Sequence, residues 1–198
     1  MPTNKFPVPV LQSSNKLTNE PPKGLKANLL RSYNDLTDKS YHECKKEFEF
    51  KKLFFSLAFF HAVILERRKY GAIGWNIAYE WMNSDLDASM IQLKMYLDEQ
   101  STVPYKTLNY LIAEVNYGGR VTDDKDVRLI TALLESYLNA DVLAGDYKFS
   151  SSGIYYSPNQ LELDSVKDYI SNLPLEDDPE IYGLHRNANI TFQQKNTR

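Results

Sequence analysis

Cysteine is nearly absent: Cys44 stands alone among 198 residues. No internal disulfide can form, and the chain fits a reducing compartment. Glycine numbers eight, and none lies in a G-x-x-x-x-G-K-[ST] loop, which excludes a Walker A phosphate cradle. There is no G-x-S-x-G, no H-E-x-x-H and no C-x-x-C. Neither charge sign dominates, since 23 Lys and Arg stand against 26 Asp and Glu for a net charge of −3. That balance gives no broad electrostatic case for nucleic acid or an anionic membrane. No apolar run reaches the roughly 20 residues that span a bilayer. The N-terminus, MPTNKFPVPVLQ, carries Pro early and has no long apolar core, so it does not read as a secretory signal. The Asn189-Ile190-Thr191 sequon is then accidental, because glycosylation requires secretion. The expected setting is cytosolic or cytoskeletal.

What is present is apolar and aromatic: 42% hydrophobic residues, 13% aromatic, enough to bury a core in one domain with or without an appendage. The chain is organised around Lys45 to Tyr70, KKEFEFKKLFFSLAFFHAVILERRKY. Between Leu53 and Leu65 every position is apolar except Ser56 and His61. A helix with one solvent face would show apolar residues only at i, i+3, i+4 and i+7. Here Leu53, Phe54, Leu57, Ile64 and Leu65 fill one face, and Phe55, Phe59, Ala62 and Val63 fill much of the other. Length, charged helix-forming flanks and the lack of internal Gly or Pro favour a central helix over a strand.

Around it, Phe6, Val8, Val10 and Leu11 between Pro7 and Pro9 read as a short edge strand or arm, since Pro cannot donate in a central strand. Asn19 to Gly24 stops regular structure. Leu25, Leu29, Leu30 and Tyr33 set up a first amphipathic helix, ending near Leu36, and a polar break spans Thr37 to His42. Gly71 and Gly74 close the central helix. Trp75, Ile77, Tyr79 and Trp81 alternate as an extended strand or strap packed across helices. Ser84 is an N-cap candidate with Asp87 three residues on, for a third helix faced by Leu86, Met90, Leu93 and Leu97. Pro104 opens a fourth, with Leu108, Leu111, Ile112 and Val115 inward, and Gly118-Gly119 ends it. Thr122 caps a fifth, where Asp123 and Asp124 complement the helix N-terminus and Asp124 can pair with Arg128; its core face is Val127, Ile130, Leu134 and Leu138. Tyr147 to Tyr156 reads as a hairpin or irregular loop. Asp164 to Leu173 is a further short helix, and the rest, through Leu184, is compact loop with a helical turn. The fold class is mainly α: a five- to six-helix bundle with short extended or hairpin segments at the ends.

No active site is visible. His42 and Cys44 fall short of the three or four ligands a metal site needs. Cys44 with His185 would be a thiol–imidazole pair only if the fold joined them. His61 reads as a core histidine rather than a catalytic base. The acids Asp123, Asp124 and Asp126 read as helix-start residues, and Glu66-Arg67-Arg68-Lys69 as a solvated helix C-terminus.

Four long stretches carry a family resemblance: NEPPKGLKANLLRSY (19–33), FHAVILERRKYGAIGWNIAYEW (60–81), LNYLIAEVNYGGRVTDDKD (108–126) and YKFSSSGIYYSP (147–158). In this order and spacing they closely resemble dynein heavy chains, with axonemal wording at ERRK and NYGGRVTDDKD. The resemblance implies an AAA+ lid-type bundle, the small helical subdomain of the sixth AAA+ module. Residues 1–18 would be the last strand or linker of that module's large subdomain, 19–195 the lid, and 196–198 the start of a linker to the C-terminal domain. It implies a piece of a much longer chain: a force-generating ATPase moving towards microtubule minus ends in ciliary or flagellar axonemes. No cofactor is expected in these residues, ATP and Mg being held by other modules. Expected partners are the other AAA+ modules and C-terminal domain of the same heavy chain, with microtubules and light and intermediate chains for the parent. The candidate structural and interface residues are Trp75, Tyr79, Trp81, Gly118, Gly119, Arg120 and Asp123. Arg120 stands where related AAA+ lids place a nucleotide-sensing arginine, or else pairs with a neighbouring acid.

Two other classes compete. A freestanding helical adaptor would use Trp75 to Trp81 as an exposed binding face, whereas core packing would bury that strap. A small enzyme would need a concave pocket with convergent, pKa-perturbed groups.

Overall fold

A computed structural model describes residues 7–15 and 22–196 of the chain. Among the described residues the fold is helical and contains no named strand. The organising element is helix α4 (Glu47–Arg67), preceded by α1 (Val8–Ser13), α2 (Leu25–Asn34) and α3 (Asp38–His42). Every residue from Phe50 to Ile64 is buried, including Lys51, Lys52, Ser56 and His61. The near-absence of polar residues on either face is the cause: α4 has no face suited to water. Each of its fully buried phenylalanines contributes about 1.5–3 kcal/mol relative to exposure. Phe59 shows the packing, with ring centroids 4.9 Å from Phe149, 5.8 Å from Tyr137 and 5.8 Å from Tyr155.

Around α4 pack α2, α5 (Asn83–Glu99) and α7 (Asp124–Tyr137), with α8 (Leu163–Ser171) behind α2. Helix α6 (Tyr105–Tyr110) continues into a π-helical segment, Leu111–Tyr117, and a 3₁₀ turn, Gly118–Arg120. The chain closes with a 3₁₀ turn, Pro179–Tyr182, and α9 (Ala188–Asn196). The bundle and the faces of α2, α5 and α7 agree with the sequence reading, as does the loop at Tyr147 to Tyr156. That loop is closed by one antiparallel bridge, Lys148 to Tyr156. No helix among the described residues is long and apolar enough to cross a membrane.

Several expectations are corrected. The described part of the proline-punctuated N-terminus is helix α1, not strand: Pro9 sits in the first turn, where its missing N–H costs nothing. Phe6 and Asn19 to Pro21 lie outside the described residues. The polar break at Thr37 folds into α3, capped by the Thr37 hydroxyl, which accepts the Ser40 N–H at 3.3 Å. Helix α5 begins at Asn83, so Ser84 lies inside the first turn rather than at the cap; Met82 holds the cap position and Asp85, at the third helical position, accepts its N–H at 2.8 Å. Asp123 displaces Thr122 as the cap of α7, accepting the N–H groups of Lys125 and Asp126. The Asp124–Arg128 ion pair does not form among the described residues. Val115 is 50% exposed and Leu111 only partly covered, because the π-helical widening turns Ala113 and Tyr117 to the core instead.

Candidate functional site

The strap between α4 and α5 crosses the bundle where the π segment ends and α7 begins. Four of the seven residues singled out above, Trp75, Tyr79, Trp81 and Asp123, meet there. Trp75, Tyr79 and Trp81 are buried. Their rings form one cluster, with centroids 4.8 Å apart for Trp75–Trp81, 5.5 Å for Tyr79–Trp81 and 6.2 Å for Trp75–Tyr79. Both indoles donate to main-chain carbonyls: Trp75 Nε1 to Ile64 at 3.2 Å and Trp81 Nε1 to Tyr117 at 3.1 Å. The strap therefore hangs on α4 at one end and on the π segment at the other. Ile77, between them, points out and is 44% exposed. The aromatic face that an adaptor would present is thus core.

The acid group divides by role. Asp126 is buried and accepts the main-chain N–H of Asn76 at 3.1 Å and of Ile77 at 3.3 Å. Asp123 accepts the Asn76 side-chain amide at 3.0 Å. That bond, followed by the Asp126 and Lys125 main-chain donors, holds its carboxyl below the usual carboxylate range. Tyr79 Oη accepts the Asp123 N–H at 3.3 Å. Asp124 takes no part and is exposed. The first turn of α7 is therefore a clamp on the strap.

The charge run at the end of α4 suggests a solvated Arg67; instead it is 3% exposed. Its Nε and Nη2 donate to the Gly74 carbonyl at 3.2 and 3.0 Å, its Nη1 donates to the Tyr182 carbonyl, and its guanidinium lies 5.4 Å from the Trp75 ring centre. Burial lowers its pKa to about 10, so it remains a cation at neutral pH. One buried arginine ties the end of α4 to the strap and to the C-terminal turn. Its position three residues after Ile64 and four after Val63, on the buried stripe, is the signal that could have marked it. Asp177, also absent from the sequence candidates, makes a second junction. It accepts the Leu25 N–H at 3.1 Å and the hydroxyls of Tyr182 at 2.7 Å and Tyr155 at 3.5 Å.

Arg120 lies at the rim, 42% exposed as a side chain, with Nη2 3.1 Å from Asp85 Oδ1. The two glycines before it differ. A Cβ at Gly118 would stand 2.4 Å from the Ala113 carbonyl oxygen, whereas Gly119 has nothing within 4 Å.

The remaining candidates are dispersed. His42 Nδ1 is 2.6 Å from Glu47, Cys44 Sγ donates to Asp98 at 3.4 Å, and His185 Nδ1 accepts the Asn187 N–H at 3.2 Å. Cys44 and His185 form no pair, and burial pushes the Cys44 thiol up. Among the described residues no group of three or more His, Cys, Asp and Glu is placed to hold a metal ion. A cavity of about 700 Å³ opens between the start of α2, the end of α4 and α9. Its described lining includes Lys23, Glu66, Arg68, Lys69, Glu176 and Asp177 but no His, Cys, Ser or Thr. At the strap, side chains from α4, α7 and the strap itself hold main-chain groups of neighbouring segments.

Residues 50–188 match the family of the dynein heavy chain AAA lid domain. Over all 198 residues the chain is 52% identical to dynein axonemal heavy chain 1 of Mus musculus. It is 47% identical over 197 residues, all of this chain, to dynein axonemal heavy chain 6 of Homo sapiens. It is 47% identical over 192 residues, 96% of this chain, to the Dynein-1-beta heavy chain of the flagellar inner arm I1 complex of Chlamydomonas reinhardtii. The chain spans 4–5% of the length of these relatives.

Proposed function

The chain belongs to the dynein heavy chain AAA lid family, and we propose that it acts as the non-catalytic helical lid of the sixth AAA+ module in the motor ring of an axonemal heavy chain. In this reading the lid couples that module to the first module and to the C-terminal domain during ATP-driven, minus-end-directed movement on microtubules. Residues 1–18 then belong with the large subdomain, and ATP and Mg bind in other modules. The setting is the ciliary or flagellar axoneme, and light and intermediate chains are partners of the whole motor.

The observation that carries the reading is the double tie on the strap. Arg67 joins Gly74 and Tyr182 to the end of α4, and Asp126 joins Asn76 and Ile77 to α7. A coupling element must turn as one body, and coupling needs an element with discrete arrangements rather than a soft one. The strap, which would otherwise be the soft part, is held from both sides by buried groups. The contact between Arg120 and Asp85 supports a structural role for that arginine over nucleotide sensing.

The test is Asp126→Ala in the motor of the whole heavy chain. Microtubule-stimulated ATP turnover should fall at least threefold, while unstimulated turnover changes less than twofold. Equal stimulation in variant and parent would overturn the proposal.

A further inference from the structure

The segment from Leu108 to Tyr117 carries two inward faces in one sequence. As an α-helix it presents Leu108, Leu111, Ile112 and Val115, the i, i+3, i+4, i+7 stripe of an amphipathic helix. In the structure the buried set is Leu108, Ile112, Ala113 and Tyr117, in which partners stand five apart, as the i→i+5 bonds of a π-helix require. Val115 is left 50% exposed as a result. A π segment of seven residues is rare, and such insertions mark functional or strained places in helices.

Gly118 favours the wider register. A Cβ there would meet the Ala113 carbonyl oxygen at 2.4 Å, a clash with the residue five positions back. In an α-helix the carbonyl facing that position belongs to the residue four back, and Ala is accommodated throughout such helices. Three side-chain contacts then hold the π register. Tyr117 Oη is 3.0 Å from His61 Nδ1 in the core. The Tyr117 carbonyl accepts the Trp81 indole N–H. Asn116 Nδ2 donates to Ser89 Oγ and Gln92 Oε1, both at 2.9 Å, on α5.

We propose that Leu111–Tyr117 is a two-register switch that exchanges between the π-helix seen here and an α-helix in which Val115 turns inward and Tyr117 leaves His61. Loss of one π turn rotates all that follows by about 100° and shifts it by about 1.5 Å. That movement takes Asn116 off α5 and the Tyr117 carbonyl off Trp81 in one step, so α5 and the Trp81 end of the strap lose their ties to this segment together, while Arg67 and Asp126 keep the rest of the strap in place. The inference concerns the chain itself and does not rest on the motor reading.

The test uses the full chain with Cys44→Ala, so that a single introduced thiol reports. Val115→Cys should react rapidly with a maleimide when Gly118 is present. Adding Gly118→Ala should slow that reaction at least tenfold while leaving Ile91→Cys, on the outer face of α5, unchanged. Tyr117→Phe, which removes only the hydroxyl on His61, should slow Val115→Cys two- to fivefold. An unchanged rate at position 115 in a folded Gly118→Ala protein would overturn the proposal, as would faster labelling at both positions. If Gly118→Ala does not fold, Tyr117→Phe decides: slower labelling supports the switch and an unchanged rate refutes it.

Discussion

The carboxylate of Asp126 accepts the main-chain N–H of Asn76 at 3.1 Å, across 50 residues of sequence. A second N–H, from Ile77, shares it. Hydrogen bonds to a buried charge contribute about 1.5–3 kcal/mol, and truncating the acceptor leaves both donors without a partner. Asp126→Ala should therefore cost about 2–4 kcal/mol in urea unfolding, and Asp124→Ala, two residues away and exposed, less than about 0.5.

Arg67 should resist conservative exchange. Lys has no planar fork to reach the Gly74 and Tyr182 carbonyls together. Arg67→Lys is expected to lose about 2–3 kcal/mol, and limited proteolysis should then cut first within residues 71–82. A loss equal to that of Arg68→Lys would contradict the buried tie.

Much of this was legible in the sequence, and the exceptions have physical reasons. Helix α4 is legible because between Leu53 and Leu65 only Ser56 and His61 are polar, which leaves no stripe for water. The burial of Trp75, Tyr79 and Trp81 followed from their size. The inward set of the fourth helix is not legible, because Leu111 and Val115 obey the α period while the backbone takes the π one. The helix starts miss the hydroxyls at Ser84 and Thr122: α5 begins before Ser84, and Asp123 rather than Thr122 caps α7. Arg67 was hidden inside a run of charges whose other members are at least partly exposed. Asp177 binds Leu25 across 152 residues, a distance no local pattern reaches, and α9 has no continuous apolar stripe to announce it.

Stability should depend on pH through His61. Burial first, against a smaller opposing effect of Asp85, lowers its pKa to about 4. The unfolded chain takes up a proton near pH 6.5 that the folded chain refuses. The contribution is complete above pH 6.5 and is lost as pH falls towards 4; by pH 5 the loss amounts to about 2 kcal/mol. Urea unfolding at pH 7.5 and 5 should show that difference shrinking by about this amount in His61→Gln. An identical pH slope in parent and variant would rule the effect out.

Glycine substitutions should separate sharply. A Cβ at Gly74 would stand 1.9 Å from the Arg67 carbonyl oxygen, while Gly119 faces open space at an ordinary negative φ. Gly119→Ala is expected to be neutral or to stabilise by up to about 1 kcal/mol. Gly74→Ala should lower the melting temperature by several degrees, since the clash is with backbone and cannot relax by a rotamer change.

The central claim is that the strap is clamped rather than draped, and amide hydrogen exchange tests it most directly. The N–H groups of Asn76 and Ile77 should exchange as slowly as amides in the middle of α4. In Asp126→Ala they should accelerate at least a hundredfold while Phe54 to Ala62 stay protected. Exchange of Asn76 and Ile77 at open-loop rates in the parent chain would contradict the account.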